Sequence, residues 1–257
     1  MNLLFIGDVM AKPGRRAVQA FLPGLRQELQ LDAVIANGEN LAGGAGLTRD
    51  TANELFQCGV DVLTGGNHLF DKQEGMGFIA KDPRVVRPAN YPPGTPGREL
   101  AIVEVPQGKL AVGCVLGRVF MKALDDPFRA ADRIHAEALA HGATVFLLDV
   151  HAEASSEKMA MGWHFDGRAA LVAGTHTHVP TADERVLSGG TAYVTDAGMT
   201  GPYDSVIGME KEPVLDHMRT GMRRRFRPAT KDVHLFAVHV VVDDATGLAR
   251  SITRVRR

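Results

Sequence analysis

Short apolar runs recur along this chain. Each gives way within a few residues to glycine and then to a side chain able to bind a cation or move a proton. Leu3-Leu4-Phe5-Ile6 leads into Gly7 and Asp8, Ala33-Val34-Ile35-Ala36 into Asn37-Gly38-Glu39-Asn40, and Val60-Asp61-Val62-Leu63 into Gly65-Gly66-Asn67-His68. Stretches of helical spacing separate the runs. After Asp8, Val18, Phe21, Leu22, Leu25 and Leu29 fall on one helical face, with Pro13 near its start and Pro23 as a candidate kink or break. Thr48 is placed to cap a second helix through Leu55 and Phe56 up to Gly59. Buried strands alternating with helices predict a parallel α/β sheet, in which polar groups gather at the carboxyl ends of the strands.

The middle of the chain changes this pattern. Glu99 to Val105 and Leu110 to Leu116 flank Pro106-Gln107-Gly108-Lys109 as an antiparallel hairpin, and Val233 to Val242 with Leu248 to Val255 predicts another at the end. The expected fold is therefore mixed α/β. Between the hairpins, Asp126 and Pro127 open a helix that Gly142 ends, and Gly201-Pro202-Tyr203-Asp204-Ser205 reads as a turn-rich loop. No repeat or linker divides the sequence, so a single domain over residues 1–257 is expected.

Two further runs add histidines. Thr144-Val145-Phe146-Leu147-Leu148 leads to His151, and Ala169 to Ala173 leads to Gly174-Thr175-His176-Thr177-His178. On an extended strand, side chains two apart share a face, so His176 and His178 are expected to point at the same place. Each polar group also has a structural reading. Asp8 could cap the following helix, Glu39 and Asn40 could stabilise a turn, Asn67 could adopt a left-handed conformation, and His151 could be a hydrogen-bonded core histidine. Together, at the ends of five strands, they supply oxygen and nitrogen donors for two metals with a carboxylate to bridge them. That donor set suits iron, manganese or zinc better than calcium or magnesium.

A formal net charge of −1 argues against a nucleic-acid coat or a polybasic membrane-surface protein, so an anionic substrate must be held locally. Arg223-Arg224-Arg225, with Arg219 and Arg227, is the one basic run. It reads as a solvated face or an oligomer contact ahead of an RNA-binding patch. Arg15 and Arg16, near a helix start, are either surface cations or anion ligands. Cys58 and Cys114 are isolated, which predicts buried thiols and no sulfur ligand. The N-terminal stretch lacks the pattern of a signal peptide and no apolar run spans a bilayer, so a cytoplasmic protein is expected.

The ordered segments Gly7-Asp8, Gly38-Glu39-Asn40, Gly66-Asn67-His68, His151 and Gly174-Thr175-His176-Thr177-His178 resemble the calcineurin-like metallophosphoesterases. That family usually opens with Asp-x-His, where this chain has Asp8-Val9-Met10, and has an aspartate where Glu39 stands. Both departures resemble the YmdB-like branch, as do the stretches His151 to Lys158 and Thr195 to Ser205. The resemblance implies a four-layer αββα sandwich of two mixed sheets flanked by helices. It also implies two metal ions, iron by preference, and activity on 2',3'-cyclic nucleotides. By the same resemblance Asp8, Glu39, Asn40 and His178 hold one metal, Asn40 standing in for the missing imidazole, while Glu39, Asn67, His151 and His176 hold the other. A metal-bound hydroxide would attack phosphorus and His68 would protonate the leaving oxygen, with Asp71 either orienting that imidazole or capping a helix. A phosphomonoesterase on the same scaffold, an amidohydrolase barrel and a non-catalytic metal-stabilised RNA-binding protein are the competing readings.

Overall fold

The computed structural model describes residues 1–257. In chain order its elements are β1 (Asn2–Ile6), β2 (Asp8–Val9), α1 (Ala11–Glu28), β3 (Ala33–Asn37), α2 (Arg49–Gln57), β4 (Val62–Thr64), α3 (Met76–Ile79) and β5 (Val85–Val86). There follow β6 (Leu100–Val105), β7 (Gly108–Leu116), α4 (Pro127–Ala140), β8 (Val145–His151), α5 (Ser155–His164), β9 (Leu171–Thr175), β10 (Arg185–Val186) and β11 (Ala192–Val194). The chain closes with β12 (Met199–Pro202), α6 (Lys211–Thr220), β13 (Val233–His234), β14 (Phe236–Val242) and β15 (Ala249–Arg256).

Two six-stranded mixed sheets dominate, in the orders β15-β14-β1-β3-β4-β5 and β10-β11-β9-β8-β7-β6, with a small third sheet β13-β12-β2 beside them. In the first, β1, β3, β4 and β5 run parallel and the terminal hairpin adds antiparallel strands. In the second, β7, β8, β9 and β11 are parallel and the predicted hairpin β6–β7 forms one edge. The period of two along each strand assigns its side chains to two different cores. Leu3, Phe5, Ile35 and Val62 meet Val112, Cys114, Leu147 and Ala173 in a core between the sheets. Leu4, Ile6, Val34 and Ala36 face outward onto Val18, Leu22 and Leu25 of α1 and Leu55 of α2. Ala111, Phe146, Leu148 and Val172 face the other way, onto Ile134 of α4 and Met161 of α5. The result is the expected four-layer sandwich, and central strands buried on both faces explain their continuously apolar sequences.

Local signals act as read. Thr48 and Thr51 form a reciprocal capping box on α2, and Asp126 accepts from the Phe128 and Arg129 amides at the start of α4. Three expectations need correction. Helix α1 continues through Pro23, because Val18, Leu22 and Leu25 on either side of it pack onto the sheet and offset the one backbone bond the proline removes. Gly201 and Pro202 belong to β12, which pairs with both β2 and β13, so the segment is strand before it becomes loop. Strand β9 ends at Thr175, and both His176 and His178 lie beyond it in left-handed backbone, at φ 98° and 65°. No helix is long and apolar enough to cross a membrane.

Candidate metal centre

The carboxyl ends of β1, β3, β4, β8 and β9 converge on one edge of the sandwich, where residues from the two sheets meet. Gly7 allows β1 to pass directly under the Gly198 carbonyl, which a Cβ there would approach within 1.9 Å, and delivers Asp8 to the junction. Asp8, Glu39 and His151 are at most 1% exposed, and Asn40 is 3% exposed. Asp8 caps no helix, since α1 lacks a side-chain cap, and Asn67 does not adopt a left-handed conformation.

One group of donors surrounds His151. Its Nε2 lies 2.9 Å from Asn67 Oδ1, 3.1 Å from His176 Nδ1 and 3.2 Å from Glu39 Oε1. Ligand atoms of Glu39, His151 and His176 all fall within 4.8 Å of one another, near enough to share a metal ion. The outer atoms of both rings are already engaged. His151 Nδ1 meets Thr175 Oγ1 at 2.9 Å, and that hydroxyl donates to Asp149 Oδ1 at 2.6 Å, so the neutral ring must donate from Nδ1 and keep Nε2 as its free lone pair. His176 Nε2 faces Glu153 Oε2 at 3.1 Å, which turns Nδ1 inward.

A second group surrounds Asp8. His178 donates from Nδ1 to the Ile207 carbonyl at 2.9 Å and turns Nε2 toward Asp8 Oδ1, 3.9 Å away. Asn40 donates from Nδ2 to Gly44 O at 2.9 Å, leaving Oδ1 turned the other way. Asp8 Oδ1 and Asn40 Oδ1 are both buried and without a hydrogen-bond partner. An acceptor stranded in this way costs about 1–3 kcal/mol unless something positive meets it.

The His-x-His pair is therefore split. His176 joins the His151 group and His178 the Asp8 group, where an extended strand would have aimed both at one point. Holding two non-glycine residues left-handed costs on the order of 1–3 kcal/mol each, strain that the surrounding bonds must support.

The electrostatics ask for cations. Burial disfavours ionised Glu39, yet the His151 charge and hydrogen bond and the His68 amide outweigh it and draw its pKa down to about 2. Burial likewise disfavours a charged His151, but Glu39, Asp8 and Asp149 push it up to about 9. Asp8 is raised to about 6 by burial, against the pull of His178 and His151. His176 is lowered to about 4 by burial and by the neighbouring His151 charge. With protein groups alone, a proton on His151 supplies the positive charge inside a nest of carboxylates.

A family model for YmdB-like proteins matches residues 4–255. The chain is also 47% identical over 255 residues to the 2',3'-cyclic-nucleotide 2'-phosphodiesterase of Bacillus subtilis (strain 168), covering 99% of this chain and 96% of that one.

The chain belongs to the YmdB-like family.

Among solved structures, a hypothetical protein from Thermus thermophilus superposes with a TM-score of 0.94 at 47% identity, covering 100% of this chain and 99% of that one. A novel phosphatase from Mycoplasma pneumoniae gives the same TM-score, 0.94, at 31% identity, covering 100% of this chain and 93% of that one.

Against the wider metallophosphoesterase pattern, this YmdB-like chain replaces the first imidazole with Met10. That side chain is buried in a glycine-lined slot, and a Cβ at Gly44, Gly201 or Gly208 would come within 2.9, 2.8 or 2.6 Å of it. Gly66 serves the centre directly, because a Cβ there would stand 2.2 Å from Glu39 Oε2. His68 is tied in by its backbone, which donates to Glu39 Oε2 at 2.8 Å, while its half-exposed ring meets Asp71 Oδ2 from Nδ1 at 2.7 Å. Asp71 thus orients an imidazole and caps nothing. Arg15 pairs with Glu54 at 2.6 Å and also bonds the Leu41 carbonyl, so it joins α1 to the α2 region and leaves the anion-binding reading without support. Tyr203 donates to Met199 O and stacks on Phe236, and its loop reaches the centre only through Ile207.

Sequence reasoning missed the groups behind the donors. Asp149 is fully buried and accepts from Thr175, from Thr64 Oγ1 at 2.5 Å and from Asn37 Nδ2 at 3.0 Å, so one carboxylate binds three strand ends from both sheets. Its signal was a charged residue inside the apolar run Val145 to Val150, a position that sequence pattern disfavours without a partner.

Proposed function

We propose that this YmdB-like protein is a metal-dependent phosphodiesterase acting on 2',3'-cyclic nucleotides. The observation that supports it is the donor set: two ring nitrogens 3.1 Å apart beside Glu39, and two buried oxygens, Asp8 Oδ1 and Asn40 Oδ1, without a donor. Lone pairs that face one another in this way fit cations. Asp8, Asn40 and His178 with one oxygen of Glu39 would hold one ion, and Asn67, His151 and His176 with the same carboxylate the other. Imidazole, carboxylate and amide donors suit iron, manganese or zinc, and the family resemblance puts iron first. The thiols take no part, since Cys58 and Cys114 point at the carbonyls of Glu54 and Gly65. Bound cations would neutralise the anionic ester and acidify water for attack on phosphorus.

The remaining chemistry falls to side chains. A ribose oxygen leaves as a strong base unless it is protonated. His68 would supply that proton from Nε2 as an imidazolium, its Nδ1–H donated to Asp71, which holds the ring and stabilises the doubly protonated form. Its backbone bond to Glu39 keeps the imidazole in register with the metal-binding carboxylate.

The test is a panel of 2',3'-cyclic, 3',5'-cyclic, bis(p-nitrophenyl) and p-nitrophenyl phosphates with iron- or manganese-loaded protein. The 2',3'-cyclic diesters should be preferred, and chelation should remove the activity. A consistent preference for the monoester would transfer the reading to a phosphatase, and metal-independent turnover would end it.

A further inference from the structure

The stretches His151 to Lys158 and Thr195 to Ser205 contribute a buried ion pair that lies outside the donor set. Lys158 Nζ donates to Asp196 Oδ2 at 2.8 Å, and both side chains are 1% exposed. Burying such a pair costs several kcal/mol of desolvation per ion, which makes it a poor device for general stability. Asp196 spends the rest of its carboxylate on backbone geometry. Oδ2 also accepts from Thr177 N at 3.2 Å and Thr177 Oγ1 at 2.7 Å, and Oδ1 accepts from Gly198 N at 2.8 Å. Thr177 is the residue between His176 and His178. Passage for the lysine stem depends on Gly174, where a Cβ would lie 2.6 Å from Lys158 Cδ and 1.8 Å from the Thr195 carbonyl.

We propose that Lys158 and Asp196 form a clamp on Thr177 that holds His176 and His178 in the left-handed backbone sending one imidazole to each half of the metal centre. Left free, the segment would relax toward extended backbone, in which residues two apart share a face and both rings would turn to one side. Asp196 binds Thr177 by both its amide and its hydroxyl, which fixes the pivot between the two strained residues. A carboxylate suits this place because it accepts from four donors at once, whereas an asparagine would set an amide N–H against one of them. Lys158, Asp196 and Thr177 are thus positioning residues for metal uptake. The proposal rests on the two-metal reading above.

The test measures manganese binding by calorimetry, and the visible spectrum of the cobalt-loaded protein, for the natural chain and for three variants. Thr177→Val keeps the branched shape and removes the hydroxyl, Thr177→Ser restores it, and the Lys158→Met/Asp196→Leu double variant removes the clamp without stranding a charge. The natural chain should take up two ions. Thr177→Val and the double variant should bind about 10- to 100-fold more weakly, as when groups supporting metal ligands are lost, with an altered cobalt spectrum, and Thr177→Ser should recover both. Failure of the natural chain to bind two ions would overturn the metal reading itself. Two ions in the natural chain with unchanged affinity and spectrum in Thr177→Val would overturn the clamp alone, and that variant decides the matter even if the double variant does not fold.

Discussion

Gly66→Ala is a one-carbon test of the centre. The added Cβ would stand 2.2 Å from Glu39 Oε2, 2.6 Å from Glu39 Cδ and 2.6 Å from His151 Cε1. Restoring ordinary contact requires the carboxylate to retreat by about 1 Å, whereas metal–ligand distances tolerate only about 0.2 Å. Gly66 is not left-handed, so alanine is conformationally acceptable there and the damage should stay local. Moving a carboxylate placed to serve both ions should abolish binding of the pair, and a misplacement of about 1 Å at a reacting centre costs on the order of a hundredfold in rate or more. Calorimetry with manganese, thermal unfolding of chelated protein and turnover of a 2',3'-cyclic nucleotide read the three consequences. Gly65→Ala is the control, since the nearest atoms to its Cβ belong to the Leu69 side chain and to no proposed metal ligand, so it should cost packing while sparing metal uptake. Two ions bound at natural affinity in Gly66→Ala would refute the assignment of Glu39 to the centre.

Other outcomes follow from the same geometry. Glu39→Ala should release both ions, whereas Asn40→Ala should weaken one; elemental analysis checks this, and the reverse pattern would show the bridge to be misassigned. His68→Ala should slow a 2',3'-cyclic nucleotide by about a hundred- to ten-thousand-fold while sparing bis(p-nitrophenyl) phosphate, whose leaving group needs no proton; equal losses at unchanged metal content would remove His68 from the acid role. In chelated protein the proton on His151 stabilises the fold below its unfolded pKa near 6.5, and that contribution is lost as pH rises through its folded value of about 9. Denaturant unfolding should accordingly show falling stability between about pH 6.5 and 9, and His151→Gln should flatten that slope.

The pattern of apolar runs determined the class of fold because central strands buried on both faces must be apolar throughout, and the glycines after β1 and β4 marked where those strands stop. The hairpins and the caps at Thr48 and Asp126 were equally legible, since each depends on residues within a few positions of one another. The residues proposed as donors stood out for the same local reason: Asp8, Glu39, Asn40, Asn67, His151, His176 and His178 each follow or close a strand.

Tertiary structure alone decided how those donors are grouped. Glu39 and His151 are far apart in the chain and meet because the two sheets pack face to face, a contact that neither strand's sequence encodes. The His-x-His spacing suggested an extended pair, but β9 stops at Thr175 and the pair is turned by Asp8, Asp196 and the Ile207 carbonyl, all supplied from elsewhere in the chain. Asp149 showed in the sequence only as a charge within an apolar run, and what it binds could not be read there because its three partners lie on separate strands of both sheets. Sequence states the chemistry available at each strand end through short-range periodicity and steric rules. Which lone pairs face one another depends on long-range packing, where burial makes every unpaired donor and acceptor costly and so selects a single arrangement.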